Sequence, residues 1–225
     1  MSDEIIDYGD LAEEENEIRK KLADWLPRTG DRLFAESADG ARPDPLGLTG
    51  PGEPRHPGGR WQLYADGFLL AADRLVDSYR GVPPEDALIY PILSLYRHHI
   101  ELQIKWVIRW SPGCTAQIRE QLVSTHGLAA LWDKLAKVYP RFCVWTSAEC
   151  TEACHRLILE FDEHDPKSQA GRYPESRGGD QTLTCLDVVD LPTLKLGVHK
   201  ISHFLGTVFE QIGEDREWEA EMATW

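Results

Sequence analysis

Apolar positions recur every three to four residues through most of the chain, and this helical spacing is most regular between residues 61 and 212. Residues 61–80, WQLYADGFLLAADRLVDSYR, confine their polar groups to one strip of Gln62, Asp66, Asp73, Asp77 and Arg80, so the helix they form is expected to be largely buried. Gly81, Val82, Pro83 and Pro84 stop it. Residues 91–110 open on Pro91, a favoured first-turn residue, and carry Ser94, His98, Glu101, Lys105 and Arg109 as the polar strip of a central helix. His99 and Gln103 interrupt its apolar arc, and Arg97 lies on the edge of that arc. Two shorter helices, over 115–124 and 127–139, meet at Thr125, His126 and Gly127. Thr146 and Glu149 have the spacing of a capping box, and an apolar stripe of Cys150, Cys154, Leu157, Ile158 and Phe161 follows. Asp190 is placed to cap a last long helix that turns Val198, Ile201, Leu205, Val208 and Ile212 inward.

The stretches between are irregular. Residues 27–60 hold six prolines and seven glycines, which no regular element tolerates, so they read as a linker or a long loop. Residues 165–182 form a polar loop, and Leu183–Val189 is short enough to pair as a strand. Ahead of the linker, Leu11, Ile18, Leu22, Trp25 and Leu26 share one side of an otherwise acidic helix. The class is therefore all-α: a helical bundle of about six or seven helices with a Pro/Gly-rich N-terminal linker. The expected organisation is an arm over 1–26, a linker over 27–60, the bundle over 61–212 and a mobile acidic tail over 213–225. Strand patterns are too sparse for a parallel α/β sheet.

Composition adds limits. Hydrophobic residues make up 42% of the chain, enough for a sizeable core. No apolar run reaches the roughly 18 residues of a spanning helix. The opening MSDEIIDYGD lacks the basic and apolar regions of a secretory signal. Five cysteines, an odd number, point to thiols in a reducing compartment, so a cytoplasmic location is expected. The net charge of −14 sits mostly at the ends, −6 over residues 1–27 and −5 over 210–225. Such ends keep a protein soluble and repel phosphate, yet the balanced middle leaves room for a local basic patch.

The chain has no glycine-rich phosphate loop, HExxH pair or GxSxG elbow, which argues against a nucleoside triphosphatase, a zincin and an α/β-hydrolase. What remains is less standard. Arg97, His98, His99 and Glu101 stand together on the central helix, and Lys105 follows one turn after Glu101. One reading is an ion-pair strip beside a core histidine bonded to Gln103. The other is a cleft in which arginine steadies phosphate and histidine moves protons. The loop with Lys167, Arg172 and Tyr173, stiffened by Pro166 and Pro174, suits contacts to phosphate and base. His199 and His203 have metal-ligand spacing, as do Cys150 and Cys154, but neither pair completes a site, and no metal or other cofactor is expected.

The segments YRHHIELQIKWVI (96–108), THGLAALWDKL (125–135) and FDEHDPKSQAGRYP (161–174), with the closing helix after LDVVDLPTLKLGV, resemble bacterial HEPN-like helical proteins. The resemblance covers about residues 61–212 and implies a bundle that often dimerises, in toxin–antitoxin and phage-defence settings. Many members are metal-independent ribonucleases whose signature is an arginine followed, after four to six residues, by a histidine. Arg119 and His126 match that count, whereas positions 102–104 after Arg97 are Leu, Gln and Ile. The leading expectation is thus an RNA-binding protein that cleaves RNA with Arg97, His98 or His99, and Glu101, assisted by Lys105, Lys167, Arg172 and Tyr173. The rival expectations are a non-catalytic scaffold or antitoxin subunit with a protein partner, and a small-nucleotide sensor.

Overall fold

The computed structural model describes Glu17 and residues 59–140, 147–183, 186 and 188–223. The chain divides into two units, Met1–Leu46 and Gly47–Trp225, and every described residue except Glu17 belongs to the second. Apart from Glu17, the acidic arm over 1–26 lies outside the described residues, as do almost all of the linker over 27–60 and Thr146 of the expected capping box.

Among the described residues, six α-helices build the second unit: α1 (Gly59–Ser78), α2 (Ile89–Trp110), α3 (Ala116–Ser124), α4 (Leu128–Val138), α5 (Ala148–His164) and α6 (Leu191–Met222). A short 3₁₀ turn, Glu85–Leu88, leads into α2. Among the described residues there is no strand, only one isolated antiparallel bridge between Glu175 and Gln181. The bundle is all-α, as the periodicity requires, and no helix among the described residues is long and apolar enough to cross a membrane.

Helix α2 is the hub. It packs against α1, α4 and α6, while α5 bridges α4 and α6. Ile92, Ile100, Ile104, Val107 and Ile108 are wholly buried, each contributing about 1.5–3 kcal/mol relative to exposure. Where α2 turns into α3, a Cβ on Gly113 would lie 2.4 Å from the Val138 carbonyl oxygen, so the chain passes against the end of α4 with no room for a side chain. Caps set the starts of three helices. Thr115 accepts from the Ile118 amide, Ser147 from Cys150 and Asp190 from Thr193. The cap of α5 is thus Ser147, one residue after the expected Thr146.

The structure departs from the periodicity in three places. Helix α1 is only half buried: Ala65 and Ala72 face the core, whereas Leu63, Tyr64 and Leu70 are exposed. Its few polar residues overstate how much of its girth finds a partner. Cys150 is exposed and only Cys154 of that pair is buried, because the inward stripe of α5 runs through Cys154 and Ile158. The expected tail does not begin at residue 213, since α6 continues to Met222. The Asp215 carboxylate accepts from the Tyr139 hydroxyl, and Arg216 lies over the Trp110 ring and donates to its carbonyl, fastening those turns to the bundle.

Candidate functional site

Arg97 is wholly buried, and its side chain joins four segments. Nε donates to the Asp165 carbonyl at 2.8 Å, one terminal nitrogen to Glu101 Oε2 at 2.9 Å, and the other to the His126 carbonyl at 2.8 Å. The carboxylates of Asp165 and Asp162 stand 3.5 Å and 3.7 Å away. Those carboxylates hold backbone in turn. Asp162 accepts from the Leu128 amide and so caps α4, whose own N-cap, Gly127, has no side chain to offer. Asp165 accepts from the Gln169 and Ala170 amides and shapes the loop after α5. Arg97 therefore fixes the α3–α4 break and the 165–170 turn against α2. With its fork engaged and enclosed, it steadies no incoming phosphate in this arrangement.

Glu101 was expected to face a cleft or solvent, but it is buried, and so is Lys105. Packing against the α3–α4 break roofs over this part of the polar strip. Glu101 Oε1 accepts from Lys105 Nζ at 2.9 Å and lies 3.0 Å from His126 Nδ1. Burial alone would push the Glu101 carboxyl up, but Lys105, His126 and Arg97 outweigh it and hold the carboxyl below its ordinary range. Lys105, spent on Glu101, is not a surface contact for substrate. The His126 side chain is 52% exposed, and with Nδ1 on Glu101 its Nε2 is turned away from the carboxylate. His98 is half-buried with its ring edge-on to Phe68. Burial lowers its pKa against the pull of Glu101, and the charges of Lys105, Arg172 and Arg97 lower it further. The neutral imidazole is favoured.

His99 has a different fate. It is fully buried and its Nδ1 lies 2.8 Å from the Ala65 carbonyl, which joins α2 to α1. Burial drives its pKa down. Gln103 is also buried, and it donates to the Ser202 carbonyl on α6 at 3.3 Å rather than to His99. Both residues are bonded internally, and the enclosed ring of His99 is not open to a substrate, contrary to its expected catalytic part. Arg119 is exposed on α3, and no hydrogen bond or ion pair joins it to His126 among the described residues.

The loop after α5 leaves Lys167, Arg172 and Tyr173 exposed. Arg172 donates to the Ser168 carbonyl. Gly171 lies hard against α2: a Cβ there would be 2.9 Å from the Tyr90 carbonyl oxygen and 3.0 Å from the Ser94 amide. A cavity of about 460 Å³ opens beside this contact, with Tyr90, Arg172 and Tyr173 in its walls. A second, largely apolar cavity of about 440 Å³ lies between α5, the start of α6, and Leu183, Leu186, Val188 and Val189.

On the other side of α2, His199 Nε2 is 2.9 Å from Asp73, which also accepts from the Tyr96 hydroxyl at 2.7 Å. Burial and the bond to Asp73 drive the Tyr96 pKa far up, so the phenol stays protonated. Lys195 pairs with Asp77 at 2.7 Å. Desolvation likewise raises the buried Cys154 thiol to about 12. Among the described residues no group of three or more His, Cys, Asp and Glu side chains is placed to hold a metal ion.

Sequence reasoning weighted His126 as a minor motif and passed over Asp162, Asp165 and Tyr90. Helical spacing within α2 pairs Arg97 with Glu101, but only the fold brings the 125–127 break and the end of α5 to the same place. No family model, curated protein or solved structure matches the chain.

Proposed function

We propose that the chain is a HEPN-like RNA-binding protein that cleaves RNA without a metal, in a bacterial defence or toxin–antitoxin setting, with His126 as the proton-transferring residue. The observation that supports this is a half-exposed imidazole whose Nδ1 is held 3.0 Å from the buried Glu101 carboxylate, leaving Nε2 for substrate. In the reaction, the RNA 2′-hydroxyl gives its proton to an imidazole and its oxygen bonds to phosphorus. The bond from phosphorus to the 5′ oxygen breaks, and that oxygen takes a proton from an imidazolium. His98, favoured in its neutral form, is the matching acceptor, and His126 beside Glu101 is the donor. Arg97 and Lys105 act through Glu101 as positioning residues, while Arg172 and Lys167 supply exposed positive charge.

The test is cleavage of end-labelled RNA in the presence of chelator. Wild-type protein is expected to yield 2′,3′-cyclic phosphate ends, and His126→Ala to yield none. Wild-type protein without activity, alone or with the product of a neighbouring gene, would overturn the catalytic reading.

A second reading is a non-catalytic interaction or antitoxin subunit. It is favoured by the open apolar face of α1, where Leu63, Tyr64 and Leu70 are 46%, 53% and 52% exposed. Co-purification of a partner lost on Leu70→Asp, with no cleavage by the wild type, would select it.

A further inference from the structure

Tyr90, at the start of α2, and Tyr173, in the loop after α5, lie 83 positions apart in sequence, yet both border the cavity of about 460 Å³. Their side chains are 53% and 57% exposed, and neither hydroxyl is hydrogen-bonded among the described residues. Exposed tyrosines on a rigid rim offer apolar faces to a flat aromatic ligand at little entropic cost. Rigidity here has identifiable causes. Asp165 binds two loop amides, Thr182 Oγ1 donates to the Tyr173 carbonyl at 2.7 Å, and Gly171 presses on the first turns of α2. Arg172 lines the same cavity, and its bond to Ser168 uses only part of a five-donor fork.

We infer that this cavity is a nucleotide subsite, in which a base lies against Tyr90 and Tyr173 and Arg172 holds the attached phosphate. The inference rests on the RNA reading above and names what the site takes: one unstacked nucleotide, from a single strand or free in solution. Base–aromatic stacking tolerates any base, so affinity is expected to depend on single-strandedness more than on sequence. The charge of Arg172 is also felt by His98.

The experiment is calorimetric titration of the His126→Ala protein, in which cleavage cannot consume the ligand, with adenosine, AMP and a hexameric oligoadenylate. AMP is expected to bind better than adenosine. Tyr90→Ala and Tyr173→Ala should each weaken binding roughly tenfold, Tyr173→Phe should not, and Arg172→Ala should erase the preference for AMP. Gly171→Ala, which pushes the loop off α2, should behave like Tyr173→Ala while circular dichroism stays helical. A hexamer far tighter than AMP identifies a strand as the source, and equal affinity identifies the free nucleotide. Unchanged binding in both tyrosine-to-alanine variants, or no binding of any of the three probes, would overturn the subsite. Cleavage by wild-type protein is measured separately, so loss of the subsite leaves the assignment of His126 standing.

Discussion

Two histidines rest on carboxylates at opposite sides of α2, and they do so through different nitrogens. His126 offers Nδ1 to Glu101 at 3.0 Å, whereas His199 offers Nε2 to Asp73 at 2.9 Å. The first arrangement turns the far tip of the ring outward, while the second spends that tip on the protein and leaves only the nitrogen nearest the backbone. The carboxylates differ as well. Glu101 is 2% exposed and flanked by the buried Arg97 and Lys105, while Asp73 is 18% exposed and shared with the Tyr96 hydroxyl. A fixed, neutralised carboxylate behind an outward imidazole is suited to proton transfer. The Asp73 cluster instead ties α1, α2 and α6 together. The same residue pairing leaves a ring tip open at one place and ties helices together at the other.

The strongest way to break this contrast is at Arg97. Arg97→Met leaves the buried Glu101 short of one cation and the His126 carbonyl without its guanidinium donor, so urea unfolding should show a loss of about 3–5 kcal/mol. A loss under about 1 kcal/mol would mean that the buried network is dispensable. Next comes His99. Replacing it with leucine removes the second bond to the Ala65 carbonyl and should cost about 0.5–1.5 kcal/mol, more than His98→Ala.

His99 also sharpens the contrast through pH. Its folded pKa lies below the ordinary 6.5, so the unfolded chain binds the proton first. The stability this gives is present above 6.5 and declines as pH falls below it. Glu101, depressed below its ordinary 4.5, adds a second loss only as pH falls further, through its folded value. Stability measured against pH should therefore fall in two stages, and His99→Leu should lessen the upper one, leaving the share of His98. On the Asp73 side, Tyr96→Phe removes one hydroxyl and should cost about 1 kcal/mol without touching RNA cleavage. The smallest stability effect belongs to His126→Ala, within about 1 kcal/mol because the imidazole is half-exposed and Glu101 keeps Arg97 and Lys105, yet this variant should abolish cleavage.

The helices were legible from periodicity because each is a local pattern. Asp190 as a cap and His99 with Gln103 as buried, bonded groups were legible for the same reason. What periodicity misplaced were Glu101 and Lys105, read as an outer strip. Whether a strip meets water depends on what the chain brings across it, here the break at His126. The apolar girth of α1 misled in the opposite sense, since hydrophobicity alone does not supply a neighbour for Leu63 or Leu70. The pairing of Arg97 with Asp165 spans 68 positions and leaves no trace in spacing.

The Arg97 clamp also has a consequence for hydrogen exchange. Amides in a surface loop normally swap their protons within the fastest class, since nothing must unfold to expose them. The amides of Gln169 and Ala170, however, both end on Asp165, whose carbonyl is held by Arg97 from within the core. The amide of Leu128 ends on Asp162, beside the same guanidinium. These three protons should exchange at the slow pace of α2 and not at that of their own loops, so a residue with no helical hydrogen bond would report the global opening of the bundle.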